Sequence, residues 1–285
     1  MALQQKDRRN HTINKLKRKT LIRLRLLSVT TFLSIFLIGT FTSPSPMKEI
    51  EEGVKNEVAN EQKRTLESTL TNSKRDDGKV VYLTFDDGPT SATDDILEIL
   101  QKHHAKATFF MLSPHMKERP NAVKQMVEEG HGVGLHGVTH DVNHFYHSKQ
   151  KVLGEMKEAQ KVLESITGIR SVLIRTPYGS VPYLTKPFRK ALNAQGYELW
   201  DWNIDSRDWD LTDGKYVENL IYQIQSLEGN GATPVVLLHD QSKTAKYLPK
   251  LLSYLTKQGV QMKKLDASVE PVQFKCYDRC HYLNT

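Results

Sequence analysis

From Lys79 onward the chain alternates short apolar runs with amphipathic stretches, an order that few architectures accept. Runs at 80–84, 107–112, 132–135, 171–174, 197–202, 234–238 and 260–264 have the length and the β-branched or aromatic content of strands. Between them, segments 94–104, 121–129, 148–166, 186–195, 216–227 and 246–258 read as helices, and Gly130, Gly168, Gly196 and Gly259 stand where helices end. Seven strands in strict alternation with helices imply an α/β protein with a parallel sheet, either a closed barrel or an open doubly wound sheet. Polar motifs stand at the C-terminal ends of five of those strands. A barrel gathers all such ends around one mouth, whereas an open sheet concentrates function at one switch point. The expectation is a barrel.

The rest of the chain reads differently. The net charge of +7 belongs to residues 1–25, where nine Lys/Arg and one acid give +8, so the other 260 residues sum to −1. A nucleic-acid-binding role for the domain is therefore not expected. Residues 26–41, LLSVTTFLSIFLIGTF, carry no charge and follow that basic run, the pattern of an uncleaved signal anchor or of a cleaved secretory signal. Positive residues stay cytoplasmic, which places everything after about residue 42 outside the cell. Residues 42–78 are polar and read as a stalk, 79–267 as the catalytic domain and 268–285 as a tail. In an oxidising compartment the tail's Cys276 and Cys280 can pair; with His281 they match no common structural zinc site.

Five motifs carry the chemistry: TFDDGP (84–89), HGVTH (136–140), RTPYG (175–179), DSRDW (205–209) and LLHD (237–240). Asp86 and Asp87 are adjacent carboxylates at a strand end, and such a pair calls for a cation or a strong donor beside it. Read alone, Asp-Gly-Pro is also an ordinary surface turn. His136 and His140, four residues apart, are within reach of one metal, and imidazole with carboxylate suits zinc. His144 and His147 extend the run, so a solvated His-rich loop is the other reading. Arg175 beside a carboxylate would fix its orientation. His239 ends a fully apolar strand, where histidine is more often structural than catalytic, but four other polar motifs end strands too. Together they supply what metal-assisted amide hydrolysis needs.

In this order the motifs TFDDGP, HxxxH, RxPYG, DxxDW and LHD resemble the polysaccharide deacetylase family, carbohydrate esterase family four, over about residues 79–265. The resemblance implies a distorted (β/α)7 barrel and a divalent metal, usually zinc with Co2+, Mn2+ or Ni2+ tolerated, on Asp87, His136 and His140. It further implies Asp86 as general base paired with Arg175, and His239 as general acid oriented by Asp205. The backbone N–H of Tyr178 would be an oxyanion donor, and Trp209 and Leu237 would wall the acetyl pocket. One departure is Gly137, where the family usually carries a Ser or Thr whose hydroxyl helps to order the loop; Thr139 is the candidate substitute. Placed outside the cell, the enzyme is expected to act on N-acetylglucosamine residues of peptidoglycan. N-acetylmuramic acid, chitin-like oligomers and O-acetylated xylan are the alternative substrates, and a catalytically silent wall-binding protein is the alternative of another class.

Overall fold

Val80–Asp86 (β1, VVYLTFD) is apolar on both faces, as a strand must be when helices cover one side and a filled interior the other. In the computed structural model, which describes residues 79–229 and 231–283, β1 lies inside a parallel sheet, with neighbours on both sides. The basic segment, the apolar segment 26–41 and the stalk lie outside the described residues. Among the described residues no helix is long and apolar enough to cross a membrane.

The other strands are Thr108–Leu112 (β2), Gly132–Gly137 (β3), Leu173–Ile174 (β4), Glu198–Leu199 (β5), Ile204–Asp205 (β6), Val235–His239 (β7) and Gln261–Lys263 (β8). The sheet order is β5-β4-β3-β2-β1-β7-β6, and every pairing is parallel. β8 lies off this path, beside the first half of β1. The edge strands β5 and β6 are consecutive in sequence, so only residues 200–203 separate opposite edges of the sheet. At about 3.4 Å per residue that link reaches about 17 Å, so the sheet must curl until its edges nearly meet. The result is the expected parallel barrel, left open along one seam.

Seven strands form the barrel path, though not the seven read from sequence. The run at 197–202 yields only β5, the two-residue β6 at Ile204–Asp205 follows it unread, and the last apolar run supplies the off-path β8. The seam has its own partners. Asn203 accepts from Val235 N–H (2.7 Å) and donates to the Thr233 carbonyl (2.9 Å). Arg175 donates to the carbonyls of Trp200 (3.2 Å) and Asp201 (2.9 Å), satisfying groups that no strand pairs.

Around the sheet pack Thr93–Lys102 (α1), Ser113–Glu118 (α2), Pro120–Glu128 (α3), Val142–Phe145 (α4), Lys149–Thr167 (α5), Lys186–Asn193 (α6), Lys215–Glu228 (α7) and Ser242–Lys257 (α8). The short helices α2 and α4 were not foreseen. α5 shows why the longer ones form. Ser148 caps it by accepting from Lys151 N–H, an interaction worth about 1 kcal/mol. Gly168 ends it at φ 73°, and Val152, Met156, Ala159 and Leu163 make one buried stripe. Glu155 interrupts that stripe. The tail folds back onto the seam, with Asp201 N–H donating to the Val272 carbonyl (2.7 Å) and Phe274 N–H to the Asp201 carboxylate (2.7 Å). Cys276 and Cys280 form a disulfide.

Candidate functional site

Asp86 and His239 end neighbouring strands in direct register, β1 and β7. Asp87, His136 and His140 converge beside them. Asp87 Oδ1 lies 3.4 Å from Nε2 of both histidines. His136 is buried, and its Nδ1 sits 2.8 Å from the Arg175 carbonyl. A carbonyl only accepts, so Nδ1 carries the proton and Nε2 presents its lone pair toward Asp87. Asp87 Oδ1 is buried with no hydrogen-bond partner. Burial raises the Asp87 carboxyl, but the His136, His140 and His239 rings outweigh it and hold it well below the usual carboxylate range. A buried, unpartnered carboxylate oxygen equidistant from two imidazole nitrogens fits a divalent cation, and Asp-His-His is a common zinc donor set. Asp87 (φ 72°), His140 (φ 48°) and Tyr178 (φ 61°) all occupy the left-handed region, a cost of roughly 1–2 kcal/mol each that the surrounding structure must offset.

Behind the trio, Arg175 is completely buried. It donates to Asp86 Oδ1 (2.9 Å) and Thr84 Oγ1 (2.7 Å), and its guanidinium lies over the Phe110 ring at 4.3 Å. Asp86 Oδ2 is left 3.8 Å from His136 Nε2, facing the trio.

The partner of His239 is not the residue expected. Its Nδ1 lies 2.7 Å from Asp208 Oδ1, and its backbone N–H donates to Asp208 Oδ2 (2.8 Å), to which Thr244 Oγ1 also donates. No hydrogen bond or ion pair joins Asp205 to His239; Asp205 Oδ1 accepts from Arg207 N–H (2.9 Å). Register explains the correction. Asp205 pairs with Leu237, two residues before His239 on β7, so the chain must run past β6 and turn before a carboxylate reaches the histidine. Burial pulls the His239 imidazole down, but the hydrogen bond and charge of Asp208, with Asp86 and Asp87 behind, lift it to about 9. Asp208 is fully buried; burial raises its carboxyl, and the bonds from His239 and Thr244 bring it below the usual range.

Asp86, Asp87, His136, His140 and His239 line one cavity of about 510 Å³ together with Tyr178, Asp205, Trp209 and Leu237. The Tyr178 ring packs on His140 at 4.5 Å, and its hydroxyl donates to the His140 carbonyl (3.2 Å). Trp202 also lines the cavity, and no sequence signal singled it out from the seam. Asp240, the last residue of LLHD, is structural. It accepts from Thr90 Oγ1 (2.9 Å) and Thr93 Oγ1 (2.6 Å), and burial raises its carboxyl. It also explains Gly88, since a Cβ there would sit 3.0 Å from both Cβ and Cγ of Asp240. Gly88→Ala is accordingly expected to cost about 1–3 kcal/mol in urea unfolding, as overpacking does.

A barrel with an Asp-His-His trio, a carboxylate on Arg175 and an Asp-supported histidine around one mouth is the layout of a metal-assisted hydrolase. The polysaccharide deacetylase family model matches residues 73–200. YheN of Bacillus subtilis (strain 168), assigned by name to the polysaccharide deacetylases, is 39% identical over 235 residues, covering 82% of this chain and 83% of its own. A peptidoglycan-N-acetylglucosamine deacetylase of Bacillus cereus (strain ATCC 14579) is 34% identical over 266 residues, 91% of this chain and 96% of the relative. Among solved structures, the Bacillus cereus polysaccharide deacetylase Bc1974 superposes with a TM-score of 0.62 at 35% identity, over 69% of this chain and 97% of that one. The chain belongs to the polysaccharide deacetylase family.

Proposed function

We propose that this protein hydrolyses the N-acetyl group of N-acetylglucosamine residues in cell-wall peptidoglycan, with a divalent cation, zinc first among them, on Asp87, His136 and His140. The observation that carries the reading is the unpartnered Asp87 Oδ1 between two imidazoles, across one cavity from the His239–Asp208 pair. The substrate rests on the Bacillus cereus relative, matched over nearly its whole length.

Such a cation supplies Lewis acidity toward the amide oxygen and toward water. The protein's residues do the rest. Arg175 fixes the Asp86 carboxylate so that Oδ2 faces the trio and takes the proton of the attacking water. The backbone N–H of Tyr178 donates to the oxyanion that forms as water oxygen bonds to the carbonyl carbon. Asp208 accepts from His239 Nδ1–H and keeps the ring an imidazolium, whose Nε2–H protonates the departing nitrogen as the C–N bond breaks. Acetate and a free amine result. Leu237 and Trp209 wall the space for the acetyl methyl.

The same reading puts the domain outside the cytoplasm, behind the basic segment and the apolar segment 26–41, and the Cys276–Cys280 disulfide suits an oxidising compartment. The full chain should release acetate from peptidoglycan and chitooligosaccharides. A chelator should stop that release, and added zinc should restore it. A chain that binds zinc yet releases no acetate from any glycan would sink the enzyme reading in favour of wall binding.

A further inference from the structure

His136 is held by β3 and by the Arg175 carbonyl, but His140 lies beyond the strand and depends on residues 137–139 for its position. Those residues are tied to one side chain. Glu155 Oε2 accepts from the backbone N–H of Val138 (2.9 Å) and Thr139 (3.1 Å), and Oε1 accepts from Thr139 Oγ1 (2.6 Å). Glu155 is buried on the apolar stripe of α5, where a carboxylate is costly unless it does something there. The nearest ring nitrogen of His144 is 3.7 Å away, on the exposed side.

Gly137 belongs to the same arrangement. Its φ is 96°, and a Cβ would sit 3.0 Å from Glu155 Oε2 and 3.1 Å from Phe145 Cε2. A serine or threonine at this position would be strained by that φ and would press on the carboxylate. Glycine at 137 and glutamate at 155 therefore go together, the carboxylate ordering the loop that a hydroxyl after the first histidine would otherwise order.

We infer that Glu155 is a positioning residue: by fixing Val138 and Thr139 it sets where His140 stands relative to Asp87 and His136. This rests on the metal reading above. Glu155 accepts two bonds from the backbone and one from a hydroxyl; a glutamine keeps the two backbone bonds with its carbonyl oxygen, while its amide N–H donates to Thr139 Oγ1 and so reverses the third. Supporting groups behind metal ligands typically carry about 10- to 100-fold in affinity.

The test is zinc affinity of the full chain, by competition with a chromophoric chelator, with thermal melting of each metal-free variant alongside. Glu155→Ala should weaken zinc binding about 10- to 100-fold, Thr139→Val by a smaller factor, and Glu155→Gln should stay close to wild type. If Glu155→Ala melts out, Thr139→Val, which removes one contact to Glu155 and a long bond from Asp141 N–H (3.4 Å), still reads the effect. Wild-type affinity in Thr139→Val and in folded Glu155→Ala would overturn the inference, as would a Glu155→Gln variant as weak as the alanine. A wild-type chain that binds no zinc would overturn the metal reading itself, a result distinct from either.

Discussion

Asp208→Asn will lower kcat/KM by about 10² to 10⁴, the usual scale of general acid–base assistance, and will move its alkaline limb to lower pH. The sign follows from the contacts. Burial pulls the His239 imidazole down, and the hydrogen bond and charge of Asp208 are the first of the effects that lift it to about 9. A general acid works while protonated, so wild-type activity should hold through neutral pH and fall as pH rises through about 9. Without the Asp208 charge, burial regains its weight and the limb moves toward the acid side. Asparagine is a poor substitute because Asp208 accepts from His239 Nδ1–H, His239 N–H and Thr244 Oγ1 together. One end of an amide donates, so it must face a donor on one side. Asp205→Asn should leave the alkaline limb where it is, since its carboxylate bonds only to Arg207 N–H. A pH profile of kcat/KM from 6 to 10 decides the matter. A shifted limb in the Asp205 variant and none in the Asp208 variant would reverse the assignment.

That assignment also marks where sequence reading stopped. The pattern of apolar runs was enough for the barrel, because strands buried on both faces are nearly continuous in Val, Leu and Phe, as β1 and β7 are. Strands of two residues leave no such trace, and β6, just past the run at 197–202, went unread. The Asp87, His136 and His140 cluster was legible because its members lie in two short motifs at strand ends. Choosing between the two aspartates of DSRDW needed the β6–β7 register, which fixes Asp205 opposite Leu237 and which no spacing rule contains. Asp240 stood in a motif but turned out to support the Gly88 turn. Glu155 did leave a signal, a carboxylate among Val152, Met156, Ala159 and Leu163 on one helical face. Its partners, 16 and 17 residues away, were not readable.

Asp86 and Arg175 show how far activity and stability can be separated at this site. Asp86→Asn should reduce acetate release by about 10² to 10⁴ while zinc affinity stays near that of the wild type, because the trio does not include it. The amide oxygen can still accept from Arg175, which limits the loss of stability, although the buried guanidinium is left without its counter-charge. Arg175→Met is a different perturbation. It strips Asp86 of its cation and also removes the donor to the Trp200 and Asp201 carbonyls, at the one place where the barrel lacks strand pairing. Breaking a buried ion pair from one side typically costs about 3–5 kcal/mol. For a domain of this size that corresponds to a fall of about 10 °C in Tm. The buried cation is thus a strut across the seam as well as an aid to the base, and Arg175→Met, which also loses the seam donors, should melt below Asp86→Asn while both lose activity. Equal melting temperatures for Arg175→Met and wild type would show that the tail and Asn203 close the seam without it.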